Sequence, residues 1–174
     1  MKKISALIPF LLLILVLSLV SCGSPSGATQ PGASQTGPSS DSEPVVLDIA
    51  AVAARLASEC SFSEELTENS AYLSAKFRSL AEQTESCVAY VPTGITPEEV
   101  FVFEMKSEED TAQVKSVLES YVSRQKSDYA DYAPLQVPKL ENPVILTSGK
   151  VVVFVVSVDN EAAESVAKSV LGIG

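Results

Sequence analysis

Val100-Phe101-Val102-Phe103-Glu104-Met105 alternates with the two-residue period of a β-strand, placing Phe101, Phe103 and Met105 on one face and Val100, Val102 and Glu104 on the other. The first face is richer in large apolar groups. Just upstream, Thr96-Pro97-Glu98-Glu99 sets a capping threonine ahead of proline at the first helical position and glutamate at the third, which predicts a single helical turn. Before that, Cys87-Val88-Ala89-Tyr90-Val91 reads as another strand, stopped by Pro92. Downstream, Ser107-Glu108-Glu109-Asp110 supplies a cap and first-turn acids where the helix dipole favours negative charge. Val114, Val117, Leu118, Tyr121, Val122 and Gln125 then line one side of a helix running to about Ser127. A loop through Pro134 and Pro138 leads to Val144-Ile145-Leu146, a turn at Ser148-Gly149, and the run Val151 to Val156, which together have the pattern of a hairpin.

Further out, Ile49, Val52, Ala53, Leu56 and Cys60 fall on one helix face, which predicts a first helix over 46–59. Ser61 with Glu64 has capping-box spacing, but the residues through Leu80 are mixed and read as irregular or short helix. Asp159 can cap a final helix striped by Ala162, Val166, Ala167 and Val170. The order is α-β-β-α-β-β-α. Two ββα units in succession imply an α+β domain with an antiparallel sheet of about four strands and helices packed mainly on one face. Residues 151–156 press against that picture, because six consecutive apolar residues fill both strand faces. Either the first helix or the segment before it covers the second face, or the sheet offers an apolar surface to another protein; self-coverage is the favoured reading.

The chain opens with Lys2 and Lys3 and an uncharged run from Ile4 to Val20, the arrangement of a secretory signal. At 17 residues, interrupted by Pro9 and ending on small residues, the run is not a lasting membrane span. Leu19-Val20-Ser21-Cys22 resembles the bacterial lipobox, in which the cysteine thiol takes a diacylglycerol and becomes the first mature residue. A single acyl chain binds a bilayer only marginally, at roughly 0.8 kcal/mol per buried methylene, so two chains give stable anchoring. Residues 1–21 are thus expected to be a signal peptide, and 22–43 the lipidated cysteine with a tether rich in Ser, Gly and Pro. Residues 44–174 are expected to form one globular domain. The 21 residues from Gly23 to Glu43 cannot bury enough apolar surface to offset ordering entropy, and as a flexible coil span roughly 25 Å.

Formal net charge is −10, and loss of Lys2 and Lys3 takes the mature chain to −12. That excess repels phosphate backbones and anionic lipid heads, so nucleic acid is not expected as a partner and the lipid on Cys22 must hold the membrane. Surface acid that only maintains solubility is favoured over recognition of a cationic ligand. The chain has no histidine. A histidine-based serine hydrolase, a histidine zinc site and a cysteine–histidine nucleophile are therefore excluded.

The lipobox and tether, the Phe101-to-Lys106 strand with its acid-capped helix, the Arg124-Gln125…Tyr129…Tyr132…Pro134 segment and the valine strand opened by Gly149 resemble the bacterial lipoproteins grouped as domain of unknown function 4358. The resemblance covers roughly Ile49 to Leu171, and Ser148 and Lys150 around the glycine match only approximately. It implies a surface-anchored α+β domain, typically in Gram-positive bacteria, and implies no reaction.

Ser123 with Lys126, and Ser165 with Lys168, have the spacing by which lysine activates a serine, but the companion Ser-Asp-Asn and Lys-Thr-Gly elements are missing, so surface helix positions are the better reading. Cys60 and Cys87 could form a disulfide closing a loop of about 27 residues, worth about 3–4 kcal/mol in the chain-entropy model, or could be two small buried hydrophobes. Arg124, Tyr129 and Tyr132 define a candidate partner-binding loop after the long helix, against the alternative that the rings fold under as core lids. No acid spacing of a calcium loop is present, and no metal site or cofactor beyond the lipid on Cys22 is expected. The expectation is a lipid-anchored domain facing outside the cytoplasm that binds an envelope protein or other ligand without catalysis. The alternative is an extracytoplasmic enzyme using paired carboxylates such as Glu98 and Glu99, or Glu104.

Overall fold

The computed structural model describes residues 47–174. Cys22, the apolar run before it, the tether and the boundaries at 21/22 and 43/44 lie outside the described residues. In order, the elements are α1 (Ile49–Glu59), β1 (Thr67–Glu68), α2 (Ser70–Lys76), a 3-10 turn (Arg78–Leu80), β2 (Thr84–Val91), β3 (Glu99–Met105), α3 (Thr111–Tyr132), a second 3-10 segment (Pro134–Leu140), β4 (Val144–Ser148), β5 (Val151–Val156) and α4 (Asn160–Leu171). The fold is α+β, with one antiparallel sheet in the order β1-β2-β3-β5-β4.

Strand β3 lies at the centre, paired with β2 and β5, and every one of its residues except Glu104 is buried, so both of its faces are packed. Phe101, Phe103 and Met105 join Ala89 of β2 and Val152, Phe154 and Val156 of β5 in a cluster with Leu73 and Phe77 of the α2 region and Val114, Leu118, Tyr121 and Val122 of α3. Aromatic packing dominates there: Phe101 stacks on Phe154 at 5.4 Å between ring centroids, and Phe77 meets Phe101 edge-on at 5.8 Å. The opposite face is aliphatic, with Val100, Val102, Val144, Val151, Val153 and Val155 against Val52, Ala53 and Leu56 of α1 and Ala163, Ala167, Val170 and Leu171 of α4. Helices therefore cover both faces, where the sequence pattern placed them mainly on one. The cause is the six apolar residues of β5: each such side chain left in water forgoes about 1.5–3 kcal/mol, so the second face needs its own helices. Self-coverage is the outcome, by α1 together with α4.

Local chemistry sets the ends. Asp48 caps α1, its Oδ1 accepting the amides of Ala50 at 3.0 Å and Ala51 at 3.3 Å, so the helix begins at Ile49 rather than Val46. The mixed stretch after α1 yields the two-residue edge strand β1, a fifth strand, and then α2, capped by Asn69. Between β4 and β5, Gly149 takes the first of two loop positions at φ +53, a conformation that fits the twist of the hairpin and that side chains resist. Asp159 caps α4 through the Ala162 amide at 3.0 Å, and Gly172 at φ +66 ends it while Ile173 donates back to the Lys168 carbonyl at 3.0 Å.

Helix α3 extends five residues past the expected end near Ser127, to Tyr132. Nothing between breaks it; Pro134 does, by forcing Ala133 out of the helical region to φ −146, ψ 62. Tyr129 and Tyr132 thus stand on helix, not in a loop. The single turn expected at Thr96 does not form, and residues 96–98 run without regular structure into β3. Among the described residues, no helix is long and apolar enough to cross a membrane.

Candidate functional site

Two consecutive glutamates, Glu98 and Glu99, are buried where the chain enters β3. Extended backbone turns them in opposite directions. Glu98 meets a set of donors. Its Oε2 accepts the Ser63 amide at 2.7 Å, its Oε1 accepts the Ser63 hydroxyl at 2.8 Å, and Lys139 Nζ lies 2.5 Å from Oε1. Lys139 also reaches Ser63 Oγ at 3.3 Å and Thr96 Oγ1 at 3.5 Å. Asn160 Nδ2 holds the Lys139 and Glu141 carbonyls, each at 2.9 Å. The result is a clasp tying the segment after α1, the approach to β3 and the second 3-10 segment together.

Glu99 shares the face of Phe101 and Phe103, and its surroundings are poor in donors. Tyr121 Oη donates to its Oε2 at 3.2 Å, while Oε1 has no partner. Burial pushes its carboxyl up to about 8, against the pull of the Tyr121 hydrogen bond and the nearby Lys76 charge. Burial likewise pushes the hydroxyls of Tyr121 and Tyr129 up, with the Glu99 charge adding to both. Lys76 Nζ donates to Tyr72 Oη and lies 4.6 Å from the centroids of both the Tyr72 and Tyr121 rings. The Arg124 guanidinium sits 5.9 Å from the Tyr121 ring. Helices α2 and α3 therefore bring two cations over one tyrosine that is bonded to a buried acid.

The carboxylates considered for acid–base work are not brought together. Glu99 faces Tyr121 and Glu98 faces Ser63 with Lys139, while Glu104 accepts the Ser86 hydroxyl at 2.7 Å from the opposite face of β3. In the Ser-x-x-Lys pairs, Ser123 and Ser165 bond back to the carbonyls of Glu119 and Glu161, and Lys126 and Lys168 are taken by Glu141 and Glu164. Cys60 and Cys87 are free thiols, so the disulfide alternative does not hold. The sheet itself separates them: Cys60 packs with the aliphatic cluster and Cys87 with the aromatic one. Burial pushes the Cys60 thiol up to about 11, which keeps it protonated and unreactive near neutral pH. Among the described residues, no group of three or more Cys, Asp or Glu side chains converges as a metal ion would need.

Of the three residues assigned to a partner-binding loop, Arg124 and Tyr132 are exposed and Tyr129 is buried, with the two tyrosine rings 5.0 Å apart. Tyr72, Lys76 and the role of Tyr121 escaped sequence reasoning. Sequence signals existed only for their buried neighbours: Tyr129 continues the stripe of Leu118, Val122 and Gln125 at helical spacing, and Glu99 has the strand parity of Phe101.

The exposed large apolar residues form a third feature. Ile95 lies between β2 and β3, Tyr132 at the end of α3, Leu135 just after it and Val158 just past β5. The antiparallel register puts all these connections at one end of the sheet. Leu47 borders a cavity with Glu104 and residues 148–151, so the chain enters the described domain at the other end.

No curated protein and no solved structure matches this chain. Residues 73–157, which run from within α2 past the end of β5 and so contain Lys76, Glu99, Tyr121 and Arg124, match the family model described as a domain of unknown function, DUF4358.

Proposed function

We propose that this protein is a lipoprotein of a bacterial envelope, Gram-positive by resemblance, held outside the cytoplasm by a diacylglycerol on Cys22. Its globular domain binds an envelope protein or assembles with one, and catalyses no reaction. The anchor rests on Leu19-Val20-Ser21-Cys22 and the apolar run before it. The observation that carries the binding role is the polarity of the domain. The chain enters at the Leu47 end, while Ile95, Tyr132, Leu135 and Val158 are exposed at the opposite end, where a tethered domain would present them to a partner. The separate surroundings of Glu98, Glu99 and Glu104 favour this over the paired-carboxylate alternative.

Labelled palmitate fed to growing cells should enter the wild-type protein and not Cys22→Ala, which should leave the membrane fraction; label in Cys22→Ala defeats the anchor. Crosslinking on intact cells should trap one partner species that disappears in the Ile95→Asp/Leu135→Asp double variant. An unchanged crosslinked species would remove the binding role from that end.

A further inference from the structure

The groove between α2 and α3 is a cavity of about 250 Å³, and its polar lining is Lys76, Ser79, Ser116, Ser120, Tyr121 and Arg124. Three properties set it apart from the rest of an acidic chain. No carboxylate lines it. Among the described residues, neither Lys76 nor Arg124 takes part in an ion pair. Both cations are gathered over one ring, that of Tyr121, at 4.6 Å and 5.9 Å. Two unpaired cations with hydroxyl donors from two helices are donors in search of an acceptor that has oxygens in several directions.

We propose that this groove is a binding site for a phosphate-type oxyanion, held between Lys76 and Arg124 with hydroxyls of Ser79, Ser116 and Ser120 as further donors. The proposal concerns a different surface from the apolar end and stands whether or not that end binds a partner. The chain's net charge of −10 would repel a large polyanion, but at physiological salt that field is screened within about 8 Å, so a small ion senses mainly the two cations beside it.

Glu99 supports the arrangement from behind. The groups that act on it are Lys76 from α2 and Tyr121 and Tyr129 from α3, while Tyr72 of α2 acts on those two tyrosines. Its carboxyl, pushed up to about 8 by burial, is neutral in the neutral range, and so does not cancel the Lys76 charge. Above that range it ionises and competes with a bound anion for Lys76.

The test is a titration of the full chain in nonionic detergent, read by calorimetry and by backbone amide shifts. Sulfate and inorganic phosphate serve as free ions, and glycerophosphoglycerol as a soluble lipid headgroup. Expected is saturable binding by at least one of them that moves the amides of 76–79 and 116–124. Lys76→Met and, at an exposed position safe for folding, Arg124→Met should each weaken it about tenfold. Preference for the free ions or for the headgroup identifies the source of the phosphate group. Sulfate keeps one charge state, so its affinity should fall as pH rises through about 8 in the wild type and stay level in Glu99→Gln. No saturable binding, shifts located elsewhere, full affinity in either cation variant, or a pH response unchanged in Glu99→Gln would each overturn the site.

Discussion

Glu98 and Glu99 are neighbours in sequence, both buried, and treated by the fold in opposite ways. Around Glu98 the chain assembles an amide, a hydroxyl and an ammonium within hydrogen-bond distance. Around Glu99 it supplies one phenol and leaves an oxygen with no partner. A buried carboxylate costs several kcal/mol unless its charge is met, so the first is built as half of an ion pair and the second as a neutral acid. Burial alone thus does not fix the state of an acidic group; the donors that neighbouring elements deliver do.

That contrast can be broken from the Glu98 side first. Lys139→Met leaves a buried carboxylate without its cation and should cost about 3–5 kcal/mol in urea unfolding at neutral pH. A loss under about 1 kcal/mol would mean that the Ser63 donors suffice, contrary to the usual cost of orphaning such a charge.

Next is the pH response of Glu99. Its folded value, about 8, lies above its ordinary 4.5, so between those values the native state holds a proton that the unfolded state has lost. The stability it contributes is full below about 4.5, falls as pH rises, and levels off above about 8. Glu99→Gln removes this dependence, and should therefore match the wild type near pH 4.5 and exceed it on the order of 4 kcal/mol by about pH 8. A stability difference that does not grow with pH would show that Glu99 is not held as a neutral acid.

Smaller effects sharpen the comparison. Tyr121→Phe takes away the donor of Glu99 and should cost about 1–3 kcal/mol while driving the Glu99 carboxyl higher still, a shift readable by carboxyl carbon resonances across a pH titration. Ser63→Ala deletes one hydroxyl from Glu98 but leaves the Ser63 amide and Lys139, so about 1 kcal/mol is expected from the same urea measurement. Equal losses in these two variants would erase the distinction between a well-supplied and a poorly supplied acid.

Part of this was legible in advance. The alternation of residues 100–105 located the central strand, and Asp159 and Gly149 announced the start of α4 and the hairpin turn, because each acts on the backbone within a few residues. Thr96 misled for a related reason. The local pattern favoured a capped turn, but Glu98 gained more by turning inward to Ser63 and Lys139, which lie 35 and 41 positions away along the chain. The end of α3 was misplaced because polar residues after Ser127 looked like a loop, although Tyr129 continued the apolar stripe. The meeting of Lys76, Tyr121 and Arg124 was not legible, since nothing in the spacing says which helix lies beside which.

By itself the sequence determined the strand periods, the helix starts, the absence of histidine and the excess of acid, all of which depend on residue type and near neighbours. Only the tertiary structure decided that helices sandwich the sheet, that Cys60 and Cys87 lie on opposite faces, and that two adjacent glutamates meet unlike fates. The physical reason is that apolar burial is non-directional and states only how much surface must be covered, whereas hydrogen bonds and ion pairs require particular atoms within about 3 Å, and those atoms come from distant parts of the chain.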